Sequence, residues 1–322
     1  MNREDKSIKY SVVIPVYNSG NIVGETIERT TACLQQYGLD YELILVNDGS
    51  KDCSWDVICE KAQANPAIVG INLIRNYGQH TALLCGFHHT TGDYVVTLDD
   101  DLQNPPEEII HLINKAHEGH DLVLGRFHQK RHALYRRVGS LLIGVLNNRL
   151  FHKPKDIVTS SFRILRRDLV DRICSYRTSY PYITGLALMF AVNPVNVWVD
   201  HQRRVDGKSQ YDMFKIAELV MRILFNYSSY PLRLISMVGV VISGISFILG
   251  LYFMGEGLVG GVPVPGWTSL VVLLSFLNGI IILILSMLGE YCVRLLNQTS
   301  YPESYQIKEV IGPNVVKKHQ KI

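Results

Sequence analysis

The 322-residue sequence contains no C-x-x-C pair, and most of its six cysteines (Cys33, Cys53, Cys59, Cys85, Cys174, Cys292) sit inside apolar or helix-like runs. They read as structural thiols in a reducing compartment. Net charge is nearly absent too: 32 Lys and Arg against 29 Asp and Glu leave +3, too little to point to a nucleic-acid partner. Met1 to Lys9 is polar and lacks the apolar core of a signal peptide, so the N-terminal part is expected to stay in the cytoplasm. No G-x-G-x-x-G follows the first apolar run, and no G-x-x-x-x-G-K-[ST] occurs anywhere. Dinucleotide oxidoreductases and P-loop NTPases thereby lose their main support.

Charge is missing altogether from two long stretches, the 22 residues between Arg233 and Glu256 and the 33 between Glu256 and Glu290. With 47% hydrophobic and 19% charged residues overall, disorder and fibrous repeats are excluded, and the length alone suggests about two domains. Leu234–Met254 and Trp267–Leu288 are each long enough to cross a hydrocarbon core of about 30 Å. Gly255–Gly266, with five glycines and two prolines, reads as the turn between them. Arg222, Arg233, Arg294, Lys308, Lys317 and Lys318 flank the open ends while the connecting turn has no basic residue, so both termini are expected on the cytoplasmic side. Arg136–Phe151 and Met213–Tyr227 have the apolar spacing of helices lying on a bilayer, or packed on a soluble domain.

What is present in the first two-thirds is an α/β rhythm. Apolar runs at Tyr10–Val16, Glu42–Asn47, Ile68–Ile74, Tyr94–Leu98 and Asp121–Leu124 alternate with helix-like segments, as in parallel strands covered on both faces. Ligands in such sheets gather at the carboxyl ends of strands. Polar residues collect there: Pro15, Tyr17 and Asn18; Asp48, Gly49 and Ser50; Arg75 and Asn76; Asp99 to Asp101. Asp99, Asp101 and Gln103 would share one face of an extended strand end, a hard oxygen set suited to Mg²⁺ or Mn²⁺. Asn104-Pro105-Pro106-Glu107 has the pattern of a helix start, so the acids could also merely decorate a helix N-terminus. A metal beside a nucleoside pocket is what a sugar-nucleotide-dependent transferase needs, because the departing diphosphate accumulates negative charge. Asp48 would then accept a hydrogen bond from the base, with Tyr17 or Pro15 packed against it.

Four segments, Val12-Val13-Ile14-Pro15-Val16-Tyr17-Asn18, Val46-Asn47-Asp48-Gly49-Ser50, Arg75-Asn76-Tyr77-Gly78-Gln79 and Asp99-Asp100-Asp101-Leu102-Gln103-Asn104-Pro105-Pro106-Glu107, together resemble the polyprenyl-phosphate glycosyltransferases of glycosyltransferase family 2. This group includes dolichol-phosphate mannose synthases, bactoprenol glucosyltransferases and undecaprenyl-phosphate aminoarabinose transferases. The resemblance covers nearly the whole chain and includes Leu288-Gly289-Glu290-Tyr291 at the end of the second apolar run. It implies a GT-A (Rossmann-like) α/β domain over residues 1–212, an interfacial helix at 213–231, a transmembrane hairpin at 232–289 and a cytoplasmic tail at 290–322. It also implies inverting transfer of one sugar from a UDP- or GDP-linked donor to undecaprenyl phosphate at the inner membrane's cytoplasmic face. The product would supply cell-envelope glycan or lipid modification.

The same resemblance assigns roles. Asp99, Asp101 and Gln103 would hold Mg²⁺ or Mn²⁺, and Pro15, Tyr17, Asn18, Asp48, Asn76, Asp99 and Asp100 would bind the nucleotide sugar. Arg131, Arg136, Ser140 and Arg204 would meet the acceptor phosphate, with Arg204 counted as catalytic beside Asp99 and Asp101. His201, Gly207, Lys208, Ser209 and Tyr211 would belong to a mobile loop. Gln210 stands where that loop usually has lysine, and Phe127 and His128 where the family has an arginine, for which Arg126 and Arg131 are candidate replacements. Thr159-Ser160-Ser161-Phe162-Arg163 is similar to the mannose-synthase form, with Ser161 where glucosyltransferases carry Asp. A homo-oligomer packed through the hairpins, with a tetramer as one candidate, is implied as well.

Because a phosphate monoester is mostly ionised above pH ~6, its attack on the anomeric carbon needs no strong base, although Asp99 or Asp100 could take a residual proton. His88, His89, His111, His117 and His120 read as ordinary surface or core residues. A processive polysaccharide synthase would require a Q-x-x-R-W signature that is absent here. A non-catalytic nucleotide-sugar binder is opposed by the intact Asp99, Asp101, Gln103 and Arg204.

Overall fold

The computed structural model describes residues 7–127, 144, 148–151, 153–178, 180–202, 213–228, 230–260, 266–299 and 305–312. Two compact units emerge, one of residues 1–218 with 302–322, the other of residues 219–301.

The first unit is built on an eight-stranded sheet: β1 (Lys9–Val16), β2 (Asp40–Asn47), β3 (Ile68–Leu73), β4 (Tyr94–Thr97), β5 (Leu122–Phe127), β6 (Arg163–Arg166), β7 (Pro194–Val199) and β8 (Ile307–Ile311). Its spatial order is β7-β5-β6-β4-β1-β2-β3-β8. The pairs β1/β2, β2/β3 and β1/β4 are parallel, as the alternating pattern predicts. β1 is buried along nearly its whole length because helices cover both faces. The strand order reverses on either side of β1, so a crevice opens where the carboxyl ends of β1 and β4 diverge.

Helices α1 (Val23–Gln36), α2 (Ser54–Ala64), α3 (Gln79–His89), α4 (Ile109–His117), α5 (Arg167–Ser175) and α6 (Ile183–Phe190) belong to the same unit. On α1 the buried Val23, Ile27, Thr30 and Leu34 repeat at helical spacing and face the core. α3 lies close on the sheet because Gly86 has no side chain: a Cβ there would come within 2.3 Å of Val13 Cγ1.

Three strands go beyond the sequence reading. β6 runs antiparallel between β4 and β5, and β7 extends the sheet beside β5. Residues 307–311, taken from sequence as part of a tail, form β8 antiparallel to β3. The expected helix start at Asn104 also shifts. A 3-10 turn begins at Pro106 and the α-helix only at Ile109, with no side-chain cap, because Asn104 is buried with its amide turned 3.4 Å from Asp99.

Three helices follow. α7 (Met213–Tyr227) has the bounds of the second amphipathic stretch; of the first, Gly144 and Asn148–Phe151 are described and helical. In the second unit, α8 (Tyr230–Gly260) and α9 (Trp267–Thr299) pack on each other, closely enough that a Cβ at Gly239 would meet Ile282 Cγ2 at 2.5 Å. α8 continues through Gly255 and Gly257, which the sequence places in a turn. Glycine lowers helix stability by only about 1 kcal/mol per residue and is common in membrane helices, whereas proline breaks a helix, and the prolines begin at 263. Among the described residues, one window, Phe276–Val293, is long and apolar enough by itself to cross a membrane.

Candidate active site

The carboxyl ends of β1, β2 and β3 are stitched together by short polar links. Asn18, at φ 52°, accepts from the Lys51 amide through Oδ1 at 2.9 Å, while its own amide donates to Ser50 Oγ at 2.9 Å. Tyr17 is exposed beside it and Pro15 is buried within β1. Gly49, at φ 66°, is compulsory, since a Cβ would lie 2.4 Å from the Arg75 carbonyl carbon. Buried Asp48 uses its two oxygens on the backbone amides of Tyr77 (2.7 Å) and Gly78 (2.9 Å). Burial pushes its carboxyl above the ordinary range and those two amides pull it back. Asp48 therefore shapes the turn that carries exposed Asn76.

The acidic segment is a turn rather than an extended end: β4 stops at Thr97, and Leu102 adopts φ 55°. The three aspartates therefore point to different partners. Asp99 accepts from Gln79 Nε2 at 2.7 Å and from Ser161 Oγ at 2.6 Å. Burial raises its pKa and the neighbouring Asp101 adds to that, against Ser161, Arg163 and Gln79. Asp100 turns towards β1, accepting from Ser19 Oγ at 2.5 Å and the Tyr17 amide at 3.2 Å, with its pKa pushed up to about 6, mainly by burial. Asp101 Oδ1 accepts from the Gln103 amide at 3.1 Å.

Beyond β7, the Gln202 amide donates to the Gln103 carbonyl at 2.9 Å, and the His201 ring packs against Phe127 at 4.5 Å between centroids, tilted by 41°. The chain entering the expected mobile loop is thus fastened to the acidic turn. Arg131, Arg136, Ser140, Arg204, Gly207, Lys208, Ser209 and Tyr211 lie outside the described residues.

A sequence model described as Glycosyl transferase family 2 matches residues 11–174, about half of the chain, from β1 into α5. The chain belongs to glycosyltransferase family 2. It is 35% identical over 315 residues, 97% of both chains, to the undecaprenyl-phosphate 4-deoxy-4-formamido-L-arabinose transferase of Photorhabdus laumondii, which places it in the polyprenyl-phosphate group of that family. Solved structures show the same fold at lower identity. Glucosyl-3-phosphoglycerate synthase from Mycobacterium tuberculosis, in complex with Mn²⁺, uridine diphosphate and phosphoglyceric acid, superimposes with a TM-score of 0.52 at 19% identity over 68% of this chain and 76% of that one. For mannosyl-3-phosphoglycerate synthase from Rubrobacter xylanophilus the TM-score is 0.50 at 16% identity, over 67% and 72%.

In this glycosyltransferase a buried polar layer supports the acidic turn, and sequence reasoning did not find it. Ser161, which holds Asp99, accepts the Thr97 hydroxyl through its carbonyl at 2.5 Å. Thr97 Oγ1 in turn accepts from Arg163 Nε at 3.3 Å, and Arg163 Nη1 donates to Thr184 at 3.0 Å. Arg163 is 1% exposed, and burial brings its pKa down to about 10. His80, whose Nδ1 is shut off from solvent without a partner, meets Tyr182 edge-on at 5.1 Å; burial, then Arg163, lowers its pKa to about 3. The available signal was an arginine inside an otherwise apolar Phe162-Arg163-Ile164-Leu165 run.

The acidic turn also fits a divalent cation. Its donors are hard oxygens, and Asn104 Oδ1 is buried there without a hydrogen-bond partner. Among the described residues no three His, Cys, Asp or Glu side chains form a ready cage. A small hard cation held by one or two carboxylates and completed by substrate phosphates needs none.

Proposed function

We propose that this glycosyltransferase moves one sugar, with inversion, from a UDP- or GDP-linked donor to undecaprenyl phosphate at the cytoplasmic face of the inner membrane. The observation that carries the reading is the 35% identity over 97% of both chains to a transferase whose name states that acceptor. The two long apolar helices agree with it, because such an acceptor cannot leave a bilayer. In this reading α8 and α9 form a multi-pass hairpin and α7 lies at the interface.

Asp99, Asp101 and Gln103 would hold Mg²⁺ or Mn²⁺, whose contribution when bound is Lewis-acid neutralisation of the departing diphosphate. The chain's own residues do the rest. Exposed Tyr17, Asn18 and Asn76, with Pro15 buried in β1, are assigned to the nucleotide side, while Asp48 and Asp100 set the shape of its turns. Arg131, Arg136, Ser140 and Arg204 are assigned to phosphate oxygens, which arginine recognises bidentately. The loop carrying His201, Gly207, Lys208, Ser209 and Tyr211 closes over the diphosphate and excludes water. An acceptor phosphate oxygen forms the new bond at the anomeric carbon, the bond to the diphosphate breaks, and the nucleoside diphosphate leaves with the electron pair. With the acceptor already ionised at neutral pH, orientation and charge stabilisation outweigh base catalysis.

The test is incubation of the purified full-length protein with UDP-, GDP- and dTDP-sugars, nucleotide-linked 4-deoxy-4-formamido-L-arabinose among them, and undecaprenyl phosphate with Mg²⁺ or Mn²⁺. A lipid-soluble sugar phosphate of inverted anomeric configuration is expected from one donor. Absence of product from every donor, or retained configuration, would overturn the reading.

A further inference from the structure

We propose that residues 305–311, which follow the two long helices in the chain, are a positioning element for the turn 75–79 at the donor site; calling that turn donor-binding rests on the function proposed above. β8 continues the sheet past β3 in antiparallel register, Gly70 opposite Ile311 and Leu73 opposite Ile307, with an irregularity between Asn72 and Leu73. At the end of this ladder the Ile74 amide donates to the Gln306 carbonyl at 3.1 Å. One residue earlier, Tyr305 Oη lies 2.8 Å from His88 Nδ1 on α3, and the buried Cys85 thiol of the same helix also interacts with that hydroxyl.

Two adjacent residues therefore hold the strand residue that enters the turn and, nine residues beyond Gln79, the far end of the helix that leaves it. Ile74, Arg75, Asn76 and Gln79 are exposed, so packing around the turn does little to fix it. Its shape is set at a few points: Arg75 and Asn76 against Gly49, Tyr77 and Gly78 on Asp48, and Gln79 on Asp99. Those contacts form only if β3 and α3 hold their spacing. β3 is seated closely enough that a Cβ at Gly70 would meet Ile58 at 2.7 Å and Ile311 at 2.8 Å. The returning segment is thus part of the donor site without touching the donor.

The experiment uses the full-length protein in detergent and its Tyr305→Phe and His88→Ala variants. Hydrogen exchange is followed across residues 74–79, with equilibrium binding of UDP and of GDP in the presence of Mn²⁺ and KM for donor and acceptor. Each variant is expected to speed exchange in that turn by about threefold to tenfold, the scale of one lost hydrogen bond. Nucleotide affinity should weaken and donor KM rise by a similar factor, with acceptor KM unchanged. The double variant should add little to either single change. Unaltered exchange at 74–79 in both variants, or acceleration spread evenly over the sheet, would overturn the inference. If the unmodified protein binds neither nucleotide, the donor reading fails, while the exchange data still decide the role of residues 305–311.

Discussion

Asp99 meets its partners before any substrate arrives, since Gln79 and Ser161 each hold one of its oxygens. Its orientation is therefore preset, and a carboxylate keeps lone pairs free for a cation. Asp99→Asn should lower kcat by about a hundredfold or more, whereas Ser161→Ala, which removes one hydrogen bond to a charged group, should cost about tenfold. Steady-state transfer assays on the two variants check that ranking. EDTA should abolish transfer and added Mn²⁺ or Mg²⁺ restore it, read in the same assay.

His80 gives a separate signature at this scale. Its pKa falls from about 6.5 unfolded to about 3 folded, so between those values the unfolded chain binds more protons. The stability of the neutral ring is complete above pH 6.5 and is lost progressively as the pH falls towards 3. The slope is up to about 1.4 kcal/mol per pH unit. His80→Gln, neutral throughout, should flatten that part of a plot of melting temperature against pH. The acids of the turn were legible in the sequence because carboxylates after a strand stand out. Arg163 and His80 were not, because their significance lies in burial and in partners 21 to 102 positions away, such as Thr184 and Tyr182.

Among the elements, the turn after β2 is the tightest junction of the site. Gly49→Ala would place a left-handed alanine against the Arg75–Asn76 backbone, so a loss of about 2 kcal/mol or more is expected, read as a lowered melting temperature together with weaker nucleotide binding. β1 to β4 were readable because continuous β-branched runs have no other use in a chain of this kind. β6 escaped notice as four residues that begin and end with arginine, and β8 because its Ile-Lys-Glu-Val-Ile pattern is half exposed at a sheet edge. α8 was misjudged at its end because glycines were read as breakers, although the apolar helix carries them to Gly260.

Over the whole molecule, the sheet unit buries its apolar residues while Leu219–Tyr301 exposes them, as at Met237, Ile248, Leu273, Ile284 and Met287. An apolar surface of that extent marks a contact with lipid or protein, and under the function proposed above the contact is with lipid. Alkaline carbonate washing of membranes should leave the protein in the pellet and detergent should release it, as read by immunoblot of the two fractions. The sequence conveyed this division by its two charge-free stretches. It did not convey that the sheet of the first unit is closed by a strand that follows the second unit in the chain, because pairing between β3 and β8 spans more than 230 positions and leaves no local trace.

That closure has a consequence for biosynthesis. The ribosome makes β1 to β7 before the long helices and β8 after them, while domains otherwise tend to fold from the N-terminus as they emerge. Until β8 arrives, β3 is an edge strand with unpaired backbone groups, the kind of surface that invites wrong pairing. Completion of the catalytic sheet is thereby postponed until the apolar helices have been made. An intact turn at residues 75–79 is thus a mark of a chain already translated through its two long apolar helices.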